Sequence, residues 1–198
     1  MDSLRSKNFD NGLIVCADGG LEYANLLGIK PDAIIGDNDS WENKYPDCFE
    51  VIVHPKKKDY TDSRLCVDYA IEKGCTEIEI IGGFGGRRDH EYAHYCLMAY
   101  ALKKGVKIVM SNSRNDIWME DKPFMLEKTS RKYVSFFPYG EDVYGFSVKG
   151  LKYSAENIVL TCESALATSN EFADKDRAEI SFESGRILVI LSDDKERL

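Results

Sequence analysis

Ile78-Glu79-Ile80-Ile81-Gly82-Gly83-Phe84-Gly85-Gly86-Arg87-Arg88-Asp89-His90 is the stretch on which the reading of this chain turns. Its β-branched start has the character of a short strand, and its glycines break that strand into a loop. From Asp89 onward the apolar residues Ala93, Leu97, Tyr100 and Ala101 recur at helical spacing, with Gly105 as a stop signal. A strand feeding a glycine loop that opens a helix is half of a βαβ unit. Glycines let backbone come close to a ligand, and free amides at a helix start bind phosphate oxygens. Arg87 and Arg88 add charge in a fork geometry suited to phosphate. Neither G-x-x-x-x-G-K-[ST] nor the spacing of G-x-G-x-x-G is present, so this is a phosphate loop of a different kind.

Working backward, three similar islands precede it: Ala17-Asp18-Gly19-Gly20, Gly36-Asp37-Asn38-Asp39-Ser40 and Lys58-Asp59-Tyr60-Thr61-Asp62. Each follows a short apolar run, and strands are expected at 13–17, 33–36, 51–54, 78–81 and 106–110. Helices are expected at 21–27, 61–73 and 89–104 between them. This alternation predicts an α/β N-terminal domain, residues 1–121, with a mostly parallel, Rossmann-like sheet and helices on both faces. Loops after successive parallel strands converge at one sheet edge, so the four islands are expected to meet. Asp37 and Asp39, two residues apart, can reach one hard cation, and oxygen ligands suit Mg2+. Asp62 opens a helix, where a carboxylate also serves as a simple cap. The basic Lys56-Lys57-Lys58 run reads either as a solvated turn or as a group facing a triphosphate. His90 and His94 share a helix face and would suit zinc, but no third ligand stands at a defined spacing.

After about residue 112 the helical pattern gives way to short β-branched and aromatic runs at 133–137, 146–148, 158–160, 179–182 and 187–191. Turn signals at Pro138-Tyr139-Gly140, Gly150 and Ser184-Gly185 separate them, so residues 122–198 are expected to form an all-β sandwich. The boundary is placed at Asp121-Lys122-Pro123. A formal charge of −8 argues against a nucleic-acid partner, and no apolar run approaches the length of a membrane span. The N-terminus lacks the apolar core of a signal peptide, and the 6 cysteines show no C-x-x-C pair. A cytoplasmic protein with reduced thiols is the expectation.

The four islands in this order resemble thiamine pyrophosphokinase, and the later Thr168-Ser169-Asn170 followed by strand, Gly185 and strand is similar to that family's C-terminal segment. The resemblance implies transfer of a pyrophosphoryl group from ATP to the hydroxyl of thiamine, giving thiamine diphosphate and AMP. It implies an α/β domain for ATP and Mg2+, a β-sandwich completing the thiamine pocket, and a homodimer. Carried onto this sequence, Asp18, Asp37, Asp39 and Asp62 become the metal-proximal carboxylates. Asp18, Gly19, Ser40, Lys58, Asp59, Thr61, Gly85, Gly86, Arg87 and His90 become nucleotide contacts. Asp37, Asp62, Arg87 and Asp89 become the catalytic set, and Ser169 with Asn170 faces thiamine. The family often carries asparagine where this chain has His94, and a tryptophan before the Ser-Asn pair that is absent here. Trp118, Phe84 and Tyr139 are the candidates for an aromatic stack on thiamine. Two alternatives stand beside this reading: a pyrophosphokinase for another heterocyclic alcohol such as a pterin, and a non-catalytic nucleotide-binding sensor.

Overall fold

A computed structural model of the chain describes residues 12–17, 19–36, 50–53 and 60–194. By its internal contacts the chain divides into two compact units, Met1–Ile78 and Glu79–Leu198. In the first unit β1 (Val15–Ala17), β2 (Ala33–Gly36) and β3 (Glu50–Val53) form a parallel sheet in that order. Cys16 pairs with Ile34 and Ile35 with Ile52. Every residue of β2 is buried, as expected for a central strand covered on both faces. Helix α1 (Gly20–Leu27) places Leu21 and Ala24 against Cys16 and Ile34. It ends at Gly28, whose φ of 67° lets Ile29 donate back to the Ala24 carbonyl at 2.8 Å. Helix α2 (Asp62–Glu72) packs against β1 and β2, with Val67 and Ala70 buried. The expected strand–helix–strand alternation is therefore present here.

The second unit departs from expectation. A six-stranded sheet runs in the order β11 (Asn170–Glu171), β8 (Tyr133–Pro138), β13 (Ile187–Ser192), β6 (Asn115–Glu120), β5 (Lys107–Ser111) and β4 (Glu77–Ile81), which begins at the junction between units. β5 and β4, expected in a single mostly parallel sheet with the earlier strands, instead form one end of this sheet. The reason is local. Asn112 Oδ1 accepts from the amides of Arg114 and Asn115 at 2.8 and 2.7 Å, so the chain reverses and β6 pairs antiparallel to β5. β6 then pairs along its full length with β13, and β13 with β8.

The second sheet has the order β10 (Ala155–Leu160), β9 (Val143–Lys149), β12 (Arg177–Ser181), β7 (Phe124–Glu127). Between the two sheets lie Trp118, Val134, Phe136, Phe146, Ile180, Val189 and their neighbours, with the Phe136 and Phe146 rings 5.5 Å apart. Helix α3 (Arg88–Leu102) packs on β5 and β6 through a stripe that includes Leu97, Met98 and Ala101. The expected sandwich is present, built with strands from before residue 121 as well as after it.

Candidate active site

Gly82 and Gly85 hold φ of 79° and 84°, a region other residues enter only with strain. Between them Gly83 is buried, and a Cβ built there would lie 2.5 Å from Met110 Sδ and 3.2 Å from His94 Nδ1. The loop is thus pinned at Gly83 while Gly85, Gly86 and Arg87 stand exposed. Arg87 is the N-cap residue of α3 and makes no side-chain cap bond, so its side chain takes up none of the first-turn amides. Arg87 Nε and Nη2 donate to the two oxygens of Asp89, and Asp89 Oδ1 also accepts from the His90 amide at 3.0 Å. The Arg87 guanidinium holds the Asp89 carboxyl below the usual aspartate range, and Asp89 raises Arg87 in turn. Arg87 Nη1 is left for an incoming anion. Positive helix end, exposed glycine backbone and a pre-oriented guanidinium together make a receptor for phosphate oxygens.

Thr61 and Asp62 stand together at the start of α2. Thr61 Oγ1 accepts from the Arg64 amide at 3.3 Å, which makes it the N-cap, and Asp62 is the first helical residue. Thr61 therefore has a structural duty that accounts for its place, and Asp62 presents a carboxylate in the first turn. Of the remaining carboxylates and nucleotide contacts, Asp18, Asp37, Asp39, Ser40, Lys58 and Asp59 lie outside the described residues. Gly19, within them, is exposed ahead of α1.

Ser169 and Asn170 divide their roles. Asn170 is buried, and its amide is taken up by backbone: Nδ2 donates to the Tyr153 carbonyl at 2.7 Å, and Oδ1 accepts from Tyr153 and Glu171 amides. Asn170 ties β11 to the 150–154 turn. Ser169 is exposed, with a φ of 58° that a serine adopts only when its surroundings hold it. Its amide donates to the buried Ser135 Oγ at 2.9 Å.

The aromatic candidates separate. Trp118 is buried in the sandwich core and donates from Nε1 to Glu120, so it is not a platform for a ligand. Phe84 and Tyr139 are half-buried, and the Tyr139 hydroxyl donates to Cys96 Sγ at 3.3 Å. His90 is exposed at the loop, whereas His94 is turned into the protein one helical turn later. Among the described residues no group of three or more His, Cys, Asp or Glu is arranged to hold a metal ion. The inward placement of His94 is masked in the sequence by its pairing with His90. The signal that finds it is the spacing to Leu97, Met98 and Ala101, which places it at the head of the buried stripe. Among the described residues no helix is long and apolar enough to cross a membrane.

Comparison with known proteins places the chain in a family. Residues 5–110 match the family model described as thiamin pyrophosphokinase, catalytic domain, and residues 124–187 the one described as thiamin pyrophosphokinase, vitamin B1 binding domain. The chain is 34% identical over 192 residues to the thiamine pyrophosphokinase of Bacillus subtilis, covering 93% of this chain and 89% of that protein. The crystal structure of a thiamine pyrophosphokinase from Bacillus subtilis superposes with a TM-score of 0.87 at 31% identity, covering 95% of this chain and 91% of the other. That of the thiamin pyrophosphokinase from Geobacillus thermodenitrificans gives 0.87 at 27% identity, covering 98% and 93%. The two family models and the matches along nearly the whole chain lead to one conclusion: this chain belongs to the thiamine pyrophosphokinase family.

Proposed function

We infer that the chain transfers the pyrophosphoryl group of ATP to the hydroxyl of thiamine, releasing AMP. The observation that carries this reading is the exposed Gly85-Gly86-Arg87 segment at the uncapped start of α3, in a chain that belongs to this family. Phosphoryl transfer asks a protein mainly to position its reactants and to neutralise charge on phosphate oxygens. Arg87, held in orientation by Asp89, neutralises; the α3 amides and glycine backbone position.

Residues 1–121 serve ATP and residues 122–198 complete the thiamine pocket. The separation of the two matching family models at 110 and 124 supports that division. The ATP part is read as a Rossmann-like α/β region, for which the parallel β1–β3 sheet with α1 and α2 is the support. Asp18, Asp37, Asp39 and Asp62 are assigned to Mg2+, a hard ion that takes carboxylate oxygens; of these, Asp62 lies within the described residues at the first turn of α2. When bound, the ion would draw charge from the phosphate oxygens and so favour attack at phosphorus. Ser169 offers its exposed hydroxyl to thiamine, and Asn170 keeps that segment in place. A homodimer and a cytoplasmic setting complete the reading.

The test is a coupled AMP-release assay with ATP, Mg2+ and thiamine, with chromatography for thiamine diphosphate. Thiamine-dependent AMP is expected, abolished by Asp37→Asn. Absence of AMP in the presence of every substrate would overturn the reading, and a panel of pterin alcohols would then decide the acceptor.

A further inference from the structure

His94 heads the buried stripe of α3, ahead of Leu97, Met98 and Ala101, and it is the polar member of that set. Its Nδ1 is shielded from water and sits beside Gly83, the inner residue of the glycine loop. Met110, fully buried near the end of β5, meets the same space where a Cβ on Gly83 would stand. One side chain from α3 and one from β5 thus wedge the same side of Gly83. Gly82 and Gly85 on either side take positive φ, so the exposed part of the loop owes its course to what holds Gly83.

We propose that His94 is a positioning residue for the transfer reaction: its imidazole, together with Met110, fixes the backbone at Gly83 and so sets where Gly85, Gly86 and Arg87 meet the ATP phosphates. The inference rests on the function proposed above. A leucine at 94 would fill much the same space and keep the stripe apolar, but it would offer the Gly83 backbone no polar partner. An asparagine would present its amide near the place of Nδ1. Burial lowers the His94 pKa from its ordinary value, so the ring that meets Gly83 at neutral pH is the uncharged one.

The experiment compares wild type, His94→Leu and His94→Asn in the full chain by three measurements: thermal unfolding, steady-state kinetics with ATP and thiamine varied separately, and calorimetric binding of Mg-ATP. For His94→Leu we expect a folded protein whose kcat/KM for ATP falls about tenfold to a hundredfold, the scale of a misplacement near 1 Å. The KM for thiamine should stay put, and His94→Asn should restore most of the loss. A purely structural role would lower Tm and total activity together, without separating ATP from thiamine and without rescue. A folded His94→Leu protein with unchanged ATP kinetics and Mg-ATP affinity would overturn the proposal. A wild type that binds Mg-ATP but makes no thiamine diphosphate would overturn the functional reading instead, and the affinities of the two variants would still decide the role of His94.

Discussion

Replacing Arg131 with methionine keeps the length and apolar stem of the side chain while deleting its charge and its donors. Arg131 Nε and Nη2 donate to Asp116 at 2.7 and 3.2 Å, Nη1 to the Ser113 carbonyl at 2.6 Å and, more weakly, to Asp193 at 3.4 Å, and Nη2 to the Asn112 carbonyl at 2.8 Å. One guanidinium thus joins the β5–β6 turn, the start of β6 and the residue just after β13. The side chains of Arg131, Asp193 and Asp116 are 11%, 9% and 28% exposed. Removing one partner of a fully buried pair costs about 3–5 kcal/mol, because the other charge is left without compensation. Water reaches Asp116 in part, which places the expectation at the lower end, about 3 kcal/mol. At roughly 2–4 °C per kcal/mol for a chain of this size, Tm should fall by about 6–12 °C. Arg131→Lys, which keeps charge but not the fork, should fall between wild type and methionine. The control is Arg177→Ala: its pair with Glu127 is 71% and 62% exposed, and no measurable change in Tm is expected. If Arg131→Met shifts Tm no more than Arg177→Ala, the network does not hold the hairpin to β13, and the reasoning fails.

Two further outcomes can be checked on the same instruments. Gly83→Ala should cost about 1–3 kcal/mol by overpacking, since the new methyl meets buried Met110, and the loss should shrink in a Met110→Val background; equal losses in both backgrounds would refute the collision. His94 has a folded pKa lowered chiefly by burial, with the Gly83 backbone and Glu91 opposing and His90 reinforcing. The unfolded chain therefore binds the proton more readily. This contribution to stability is complete above the ordinary histidine pKa and declines as pH falls below it, and urea titrations from pH 7.5 to 5 should show a slope that His94→Asn removes.

Much of the first unit could be read from the sequence because its signals are local. The run at 33–36 is apolar throughout and is β2, the helix expected to open at 61–62 is α2, though its cap is Thr61 and not Asp62, and Gly28 closes α1 through its positive φ. The second unit hid more. β6 carries Ile117, Trp118 and Met119 in succession, the mark of a strand buried on both faces, but it follows a polar turn just before the boundary placed at Asp121-Lys122-Pro123 and is not among the expected strands. β11 is two residues long and owes its place to the Asn170 amide, which leaves no periodic trace. Of the site, the loop, Arg87 and Asp89 were legible as residue types in order, since phosphate recognition needs glycine backbone and a guanidinium. The Arg87–Asp89 fork and the wedge at Gly83 depend on side-chain geometry that spacing does not encode.

The ladder β5-β6-β13-β8 has one further consequence. Two of its strands come before Pro123 in the chain and two after it, and β13, near the C-terminus, lies between β6 and β8. A gene cut after codon 121 would leave β6 with six unpaired backbone positions beside Ile117, Trp118 and Met119, the kind of open apolar edge that recruits other chains. The complementary fragment would start life with its own central strand half-paired. The stretches before and after Pro123 therefore depend on each other to fold: neither can be lent by simple fusion to another protein.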